Sequence, residues 1–491
     1  MKKIRKFDVL AIILIIIMSI GIASKTFQND TFYIIKVGEL IVKNGIDMID
    51  HFSIHNIMYP YEHFLYNIFI YFIYNSFGFL GLYISNIIFT IILGIIMYFG
   101  TKKLYKNSII SLIITLTSLL LLKNFIATRA QLISYIIFIL EIYCLESLFK
   151  SGKKKYILFL FILAVLLANI HAAVWPMFFV LFMPYIASYI IFILKKGLLK
   201  SKKTNDFKNY LIKISNKYFI EENYNNIKYI ILSFILCIIG GFINPNNNQC
   251  FTYFIKVKMG NTLNIISEHQ PTVLYNNPCF LLYIFITFLF FLFFKRKFKI
   301  RNLFLIFGLL FLALSSERHI ALFITIGSFI LTESFSSIKM TTKTKKMVTL
   351  FVSLFIIFIS SIIFYTNYND KYISDYYPIK AANFINKNIN KKNMRLFNEY
   401  NYGSYLLFKG IPVFIDSRAN LYTKPFNKLG YDIFDDYDKI VSTGKYKKLF
   451  KKYKINHILI ERNSKLDYSL RCNKNYKIIY KDKKFVIFKK N

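Results

Sequence analysis

Long apolar runs alternate with short polar stretches over the first three quarters of the chain. Many of these runs approach or exceed the roughly 18 residues with which a helix crosses a bilayer. One further apolar stretch, 64–77, is short, as is typical of a re-entrant or interfacial helix. The pattern predicts a polytopic α-helical membrane domain over residues 1–366, with about eleven spans near 8–24, 79–100, 108–122, 130–148, 156–170, 174–194, 228–243, 277–294, 302–316, 319–336 and 347–366.

The pattern changes after residue 366, where short strand-like and helix-like stretches alternate. "RLFNEY" and "PVFIDSR" are typical of strands, with a short helix ended by Gly410 between them. "YKKLFKKYKI" and "NHILIER" repeat the order helix then strand, and "YKIIYKDKKFVIF" predicts a closing hairpin. Residues 367–491 are therefore predicted to form a C-terminal α/β domain with its own core.

The charge pattern predicts the orientation of the membrane domain. The chain has 64 Lys and Arg against 25 Asp and Glu, a balance that can attract nucleic acid. Much of the excess lies in short loops between apolar runs, where basic residues set topology instead, so we expect no nucleic-acid partner. If the spans alternate, the lysine-rich loops at 102–106, 150–155 and 195–228 share the cytoplasmic side. Residues 25–77 then form a long first outer loop, and the C-terminal domain is extracytoplasmic.

Titratable groups gather on the outer side of this predicted topology. Six of the seven histidines fall there, and so do the carboxylates of the first outer loop: Asp30, Glu39, Asp47, Asp50 and Glu62. Lysines report topology, whereas carboxylates and histidines collected at one face favour a site at that face. The centres of the predicted spans are expected to be nearly free of charge.

Short motifs along the chain resemble those of GT-C class membrane glycosyltransferases, and more closely a group of bacterial membrane proteins related to oligosaccharyltransferases and protein mannosyltransferases. "DHFSIHNIMYPYEHFL" resembles their "D-x-F-S" followed by "hEWL", with Asp50 and Glu62 at the acidic positions. His63 departs from the tryptophan of that motif. Further motifs in matching order are "TRAQLIS", "NIHAAVW", "SEHQP" and "ERHIALF", which contain Arg129, His171, Glu268 and Arg318.

The resemblance implies transfer of a sugar from a polyprenyl-phosphate-linked donor to an acceptor at the outer face of a bacterial cytoplasmic membrane. Such a transfer needs a carboxylate base and positive charge for the departing phosphate. Asp50, expected to be an exposed loop carboxylate, is predicted to be the base, and Glu62 is the second catalytic candidate. Arg129, His171, Glu268 and Arg318 are the predicted substrate- or phosphate-binding residues, and a guanidinium suits a phosphate because it binds in bidentate fashion.

A divalent metal, Mg²⁺ or Mn²⁺, is a candidate cofactor. Asp47, Asp50 and His51 would share one helical face and are the candidate ligands. Ordinary loop residues are the alternative, since spacing fixes no further ligand.

Other functions stay open alongside the transferase. A transporter would place ionisable residues near mid-membrane, often in repeated halves, and the sequence shows no internal repeat. A non-catalytic scaffold for envelope glycan assembly would keep the same layout, and a glycan polymerase or ligase would have its acceptor-binding outer loop between spans. Membrane lipids are expected partners in each case, and the sequence does not identify the acceptor as protein, lipid or glycan.

Overall fold

The computed structural model describes residues 6–200, 206–260, 262, 266–293, 297–336, 338 and 340–491. The helices of the first 368 residues are α1 (Lys6–Ile22), α2 (Asn29–Asn44), α3 (Phe64–Tyr105), α4 (Ser108–Leu121), α5 (Ala130–Ser151), α6 (Lys155–Ile170), α7 (Trp175–Val180), α8 (Met183–Lys200), α9 (Asp206–Tyr218), α10 (Ile227–Gly240), α11 (Gln249–Met259), α12 (Pro278–Phe293), α13 (Ile300–Ser315), α14 (Ile320–Phe335) and α15 (Thr342–Tyr368). Each predicted apolar segment lies on one or two of these helices.

Apolar helices dominate this part of the chain. Among the described residues, four are long and apolar enough to cross a membrane by length and composition: α3, α5, the stretch Ala172–Leu199 that includes α7 and α8, and α15. Five shorter apolar helices accompany them: Ser108–Leu121, Lys155–Ile170, Ile227–Gly240, Pro278–Leu289 and Ile300–Ser315. The structure is thus mostly helical with a membrane-type composition, and the count of eleven spans stays a prediction.

The stretch 64–77 forms the first part of α3. Gly78 interrupts the helix with φ +60° and ψ −151°, a conformation that glycine adopts without steric cost. The predicted short helix is therefore separated by a break from the apolar segment at 79–105.

The first outer segment, residues 25–77, contains helical structure that the sequence did not predict for residues 29–44. It contains the 16-residue helix α2, whose apolar side chains Phe32, Ile35 and Val37 are buried. At Gly38 the helix approaches α3 so closely that a Cβ would lie 2.1 Å from the Asn67 carbonyl oxygen. The polar residues of α2 made it look like a loop, although its apolar face is continuous.

The C-terminal part is an α/β unit, as predicted. Its strands are β1 (Leu396–Asn398), β2 (His457–Glu461), β3 (Tyr476–Lys481) and β4 (Phe485–Lys490), and they form one sheet in the order β1-β2-β4-β3. β1 pairs with β2 in parallel, and β4 pairs antiparallel with both β2 and β3. The helices are α16 (Ile379–Asn388), α17 (Tyr400–Phe408), α18 (Lys424–Asn427), α19 (Ile433–Thr443), α20 (Lys447–Lys452) and α21 (Lys465–Arg471).

The predicted strand at "PVFIDSR" is wrong. The backbone at Phe414 and Ile415 hydrogen-bonds to the Asn398 side chain, at 2.8 Å each, instead of to a neighbouring strand. The backbone at Val413 pairs with Phe52 and Ile54 of the first outer segment. These residues therefore connect the C-terminal unit to the first outer segment and are not part of the four-stranded sheet.

Two apolar cores hold the molecule together. One lies among the membrane-type helices. The other joins the first outer segment to the C-terminal unit and contains Phe32, Ile57 and Tyr61 together with Tyr405 and Phe414. The first outer segment and the C-terminal unit are thus packed around shared apolar residues.

A few charged side chains are buried among the apolar helices. Glu141 lies in the middle of α5, fully buried, with no hydrogen-bond partner among the described residues. Near the other end of α5, Arg301 is buried and pairs with Glu146 at 2.5 Å and with Glu222 at 3.0 Å. Glu141 and Glu146 lie in the second half of α5, whereas Arg129 directly precedes this helix.

Candidate active site

Four charged side chains, Asp30, Arg129, Glu268 and Arg318, form a network. Asp30 lies at the start of α2 and Arg129 directly before α5, while Glu268 and Arg318 lie in two short 3₁₀ turns, Ser267–His269 and Glu317–His319. Arg129 Nε donates to Asp30 Oδ2 at 2.6 Å, and Arg129 Nη1 donates to Glu268 Oε1 at 2.9 Å. The other Glu268 oxygen is 3.5 Å from Arg318 Nε. Glu268 therefore lies between two guanidinium groups, which lower its pKa although burial opposes the shift. Arg129, Glu268 and Arg318, predicted separately, are brought together.

The network can be reached by a ligand. The side chains of Glu268 and Arg318 keep 42% and 41% of their surface accessible, and Arg129 keeps 21%. Arg318 Nη1 also donates to His269 Nε2 at 2.7 Å. Burial and the neighbouring arginine lower the pKa of His269 to about 3, so its neutral ring accepts this bond. The accessible guanidinium groups of Arg129 and Arg318 can therefore bind an anion.

Glu62 is the second predicted catalytic residue, and it lies beside this network. Burial raises the pKa of Glu62 to about 7, while Tyr253, Arg318 and Arg418 act in the opposite direction. Glu62 is half-buried as a residue. Its backbone oxygen accepts from Ala172 N at 2.9 Å, which holds the residue against the turn before α7. A carboxylate with this pKa can exchange a proton near neutral pH.

Asp50 is buried, and the prediction of an exposed loop carboxylate is wrong. Its side chain has no accessible surface, and Oδ1 accepts from Arg418 Nη1 at 2.8 Å. The backbone N–H groups of Phe52 and Ser53 donate to the same carboxylate. Burial opposes ionisation, but Arg418 and these hydrogen bonds lower the pKa of Asp50 below its ordinary value. Asp50 is thus held as an anion within an ion pair.

Arg418 also binds Asp416. Its Nε donates to Asp416 Oδ1 at 2.9 Å, and its Nη2 donates to Asp416 Oδ2 at 2.6 Å. Asp416 and Arg418 therefore form a buried ion pair. The guanidinium lies over the Tyr59 ring, 4.7 Å from its centroid. Arg418 consequently links the C-terminal unit to the first outer segment on the side next to Glu62.

The three candidate metal ligands do not come together. Asp47 pairs with His51 and accepts from Tyr61 Oη at 2.9 Å, whereas Asp50 is turned to Arg418. Within the described part of the chain, no group of three or more His, Cys, Asp or Glu side chains is arranged to hold a metal. Since guanidinium groups neutralise Asp30, Asp50 and Glu268, the donor set does not fit a metal in this arrangement. The metal stays a prediction, and no chemical step is derived through one.

His171 hydrogen-bonds to Ser134 and lies within electrostatic range of Arg129 and Arg318. It is buried, its Nδ1 is 2.8 Å from Ser134 Oγ, and its ring packs 4.9 Å from that of His63. Burial lowers the pKa of His171 well below its ordinary value, so the ring is neutral. These contacts show a core hydrogen bond, and a role in phosphate binding stays a prediction.

Asp30 and Tyr253 are site residues that the motifs did not single out. Asp30 lies in the first turn of α2 and pairs with Arg129, while Tyr253 lies within electrostatic range of Glu62. The available signal for Asp30 was its position as the first carboxylate after the first apolar helix. Tyr253 is one of 37 tyrosines and carried no signal of its own.

No protein-family model and no curated protein sequence matches the chain. Solved structures of membrane glycosyltransferases do match it. The archaeal oligosaccharyltransferase AglB from Archaeoglobus fulgidus, in complex with an inhibitory peptide and a dolichol-phosphate, is 10% identical with a TM-score of 0.59, over 93% of this chain and 69% of AglB. ArnT from Cupriavidus metallidurans, bound to undecaprenyl phosphate, is 9% identical with a TM-score of 0.56, over 98% of this chain and 97% of ArnT.

At these identities the likeness concerns the fold, and it extends over nearly the whole chain. Coverage of 93% and 98% of the chain includes both the apolar helices and the C-terminal unit. The resemblance predicted from the sequence is therefore confirmed at the level of the fold: this chain has the fold of the GT-C membrane glycosyltransferases.

Proposed function

We propose that the protein is a membrane glycosyltransferase that moves a sugar from a polyprenyl-phosphate-linked donor to an acceptor. One observation carries the proposal: two accessible arginines, Arg129 and Arg318, meet at Glu268 beside the proton-exchanging carboxylate Glu62, in a chain with the GT-C fold. A phosphate-binding pair next to a base is the arrangement that sugar transfer from a phosphate requires.

The two arginines would bind the donor phosphate. AglB has been solved with a dolichol-phosphate and ArnT with undecaprenyl phosphate, and both ligands are polyprenyl phosphates. A guanidinium can donate in bidentate fashion to phosphate oxygens, and Arg129 and Arg318 already pair with a carboxylate, each with a different oxygen of Glu268. The positive charge then stabilises the phosphate as it leaves the sugar.

Glu62 would act as the general base. The acceptor oxygen or nitrogen forms a bond to the anomeric carbon, the bond from that carbon to the phosphate oxygen breaks, and the phosphate leaves with the electron pair. The acceptor proton passes to Glu62. Asp50 stays a predicted base from the motif, but the geometry favours Glu62, because Asp50 has no accessible surface and is committed to Arg418.

The proposed setting is the outer face of a bacterial cytoplasmic membrane, with a multi-pass helical domain and the C-terminal unit outside. Lysine-rich loops on the opposite side support this orientation. The acceptor class is left open, and so is the alternative of a non-catalytic scaffold that keeps the fold. Glu141, buried near the middle of α5, gives the transporter alternative one carboxylate inside a helix, but this carboxylate has no hydrogen-bond partner among the described residues.

Glu62→Gln tests the proposal in a transfer assay with the purified protein and polyprenyl-phosphate-linked sugars. The amide keeps the shape but accepts no proton, so transfer should fall about 100-fold or more. In the unaltered protein, kcat/KM should rise with pH through about 7, because the base must be ionised and burial raises its pKa to about that value. Glu39→Gln is the matched control, since Glu39 pairs only with exposed or half-buried lysines of α2. Near-normal transfer by Glu62→Gln would remove Glu62 from the mechanism.

A further inference from the structure

A cleft lined with lysines lies on the C-terminal unit and shares no residue with the arginine network. Residues 444–448, where α20 begins, form one wall, and residues 469–474, where α21 ends, contribute the other. The cleft has a volume of about 570 Å³. No lining residue is acidic, and four lysines line the two walls: Lys445, Lys447 and Lys448 on the first, and Lys474 on the second.

The two walls are held together by hydrogen bonds. Asn473 Nδ2 of the second wall donates to Tyr446 Oη of the first at 2.8 Å. The Tyr446 side chain is buried, and its ring packs 5.0 Å from that of Phe450. Asn491 Nδ2, at the end of the chain, donates to Lys474 O at 2.8 Å and so fixes the second wall from behind. The cleft is therefore preformed, which lowers the entropic cost of binding a ligand.

The charge of the cleft is available to a ligand. All four lysines are exposed. The ion pairs of the C-terminal unit, within the described part of the chain, are formed by other basic residues: Lys371, Arg418, Lys452 and Arg471. A concave surface lined by one sign of charge concentrates ligands of the opposite sign.

We infer that this cleft binds a linear glycan that carries an anionic group on successive units. Lysines on both walls of a cleft of this volume suit several anionic groups in a row better than one small anion. An ammonium group is a point charge with three donors, so it pairs with carboxylate and phosphate alike. Ser469 and Asn473, which also line the cleft, have polar side chains that can hydrogen-bond to sugar hydroxyls.

Other macromolecules fit the lining less well. Single-stranded nucleic acid binds to exposed aromatic side chains on which its bases stack, but Tyr446 is the one aromatic residue of the lining and only 3% of it is exposed. A protein partner would need aromatic or aliphatic anchors at the centre of the contact, and no exposed aromatic or large aliphatic side chain lines the cleft. Charge and hydrogen bonding without stacking favour the glycan.

Cys472 allows occupancy of the cleft to be measured directly, since it lines the cleft and is exposed. The experiment uses the full-length protein in phosphatidylcholine nanodiscs, with Cys279→Ser to remove the other exposed cysteine. The probe is oligogalacturonate, which has a carboxylate on each sugar. At about ten times the Kd of the probe, the rate at which N-ethylmaleimide modifies Cys472 should fall roughly tenfold, because modification requires an empty cleft. A neutral dextran of the same length should leave the rate unchanged.

A matched pair of variants separates the cleft from general attraction, since the whole chain has a net charge of +39. Lys447→Gln with Lys474→Gln removes one charge from each wall, and the affinity for oligogalacturonate should fall about tenfold with two exposed ion pairs lost. Lys387→Gln with Lys392→Gln removes the same charge from exposed positions outside the lining and should change the affinity by less than about twofold. All four lysines changed are exposed, so both variants should fold normally.

Each contrary result overturns the inference. Failure of oligogalacturonate to slow the modification of Cys472 shows that the cleft does not bind it. Equal loss of affinity in the two double variants indicates attraction to the net charge alone. Equal protection by inorganic phosphate indicates a site for a small anion, and protection by phosphatidylglycerol nanodiscs without glycan indicates a lipid headgroup. The inference does not rest on the proposed transfer, because binding is measured without a donor and an active Glu62→Gln would leave it unchanged.

Discussion

At the scale of single residues, the fate of a carboxylate depends on partners that short motifs do not show. Asp50 and Glu62 belong to one 16-residue stretch, yet Asp50 is closed in an ion pair and Glu62 is half-buried. The partner of Asp50 is Arg418, 368 residues further along the chain. Nothing in the local sequence distinguished the fully buried anion from the other carboxylate of the motif.

Asp50→Asn should destabilise the protein, in contrast to what an exposed loop residue would do. The change leaves Arg418 partly uncompensated in a buried site, and breaking a buried pair costs about 3–5 kcal/mol when the charge is left alone. Asp416 still pairs with Arg418, so we expect a loss of about 2–3 kcal/mol and a clearly lower melting temperature in detergent. Asp47→Asn is the control, since its pairing with His51 is largely exposed and should contribute about 1 kcal/mol or less. Equal melting temperatures for the two variants would contradict the buried pair.

At the scale of elements, the sequence predicted what is local and missed what is shared. Each apolar run became a helix, because burial of a long apolar stretch needs no distant partner to specify it. Helix α2 was missed, since Asp30, Lys36 and Glu39 interrupt its apolar residues and its buried face appears only once α3 is placed against it. The stretch 412–418 has strand composition, but its backbone forms hydrogen bonds with the Asn398 side chain and with the backbone of the first outer segment.

Gly38→Ala should push α2 away from α3. The added Cβ would lie 2.1 Å from the Asn67 carbonyl oxygen and 2.7 Å from Tyr71 Cβ, so backbone has to move. Overpacking of this kind costs about 1–3 kcal/mol, and the displaced Asp30 should weaken its pairing with Arg129. We expect a lower melting temperature and a higher KM for the lipid-linked donor. Gly308→Ala, in α13 with nothing within 4 Å of the added carbon, should leave both unchanged or stabilise the helix slightly.

At the scale of the whole molecule, the order of the structural parts along the chain was more predictable than the contacts between distant parts. The helical part, the C-terminal α/β unit and the GT-C resemblance were all anticipated from patterns that extend over many residues. What escaped the sequence is that the first outer segment and the C-terminal unit share one apolar core. Such contacts join residues hundreds of positions apart, and a single sequence contains no local signature of them.

Labelling in intact cells tests the predicted orientation. Cys472 and Cys279 are exposed, so both are first replaced by serine. A cysteine introduced at Lys489 of β4 should then react with a membrane-impermeant thiol reagent, and one introduced at Lys202 should react only after the membrane is opened. Residue 202 lies outside the described residues, and its predicted side rests on the lysine-rich loop alone. The reverse pattern of labelling would place the arginine network on the cytoplasmic side.

The shared core also fixes when, during synthesis, the site can form. At about 5–20 residues per second, Arg418 follows Asp50 out of the ribosome after roughly 20–70 s. During that interval, apolar side chains of the first outer segment such as Phe32, Ile57 and Tyr61 are not covered by the C-terminal unit, which has not yet been synthesised. A nascent chain therefore has Glu62 before Arg418, which acts on it electrostatically, has been made. An interrupted translation product should be inserted in the membrane yet catalytically silent, so lipid-linked donor is not consumed by unfinished chains.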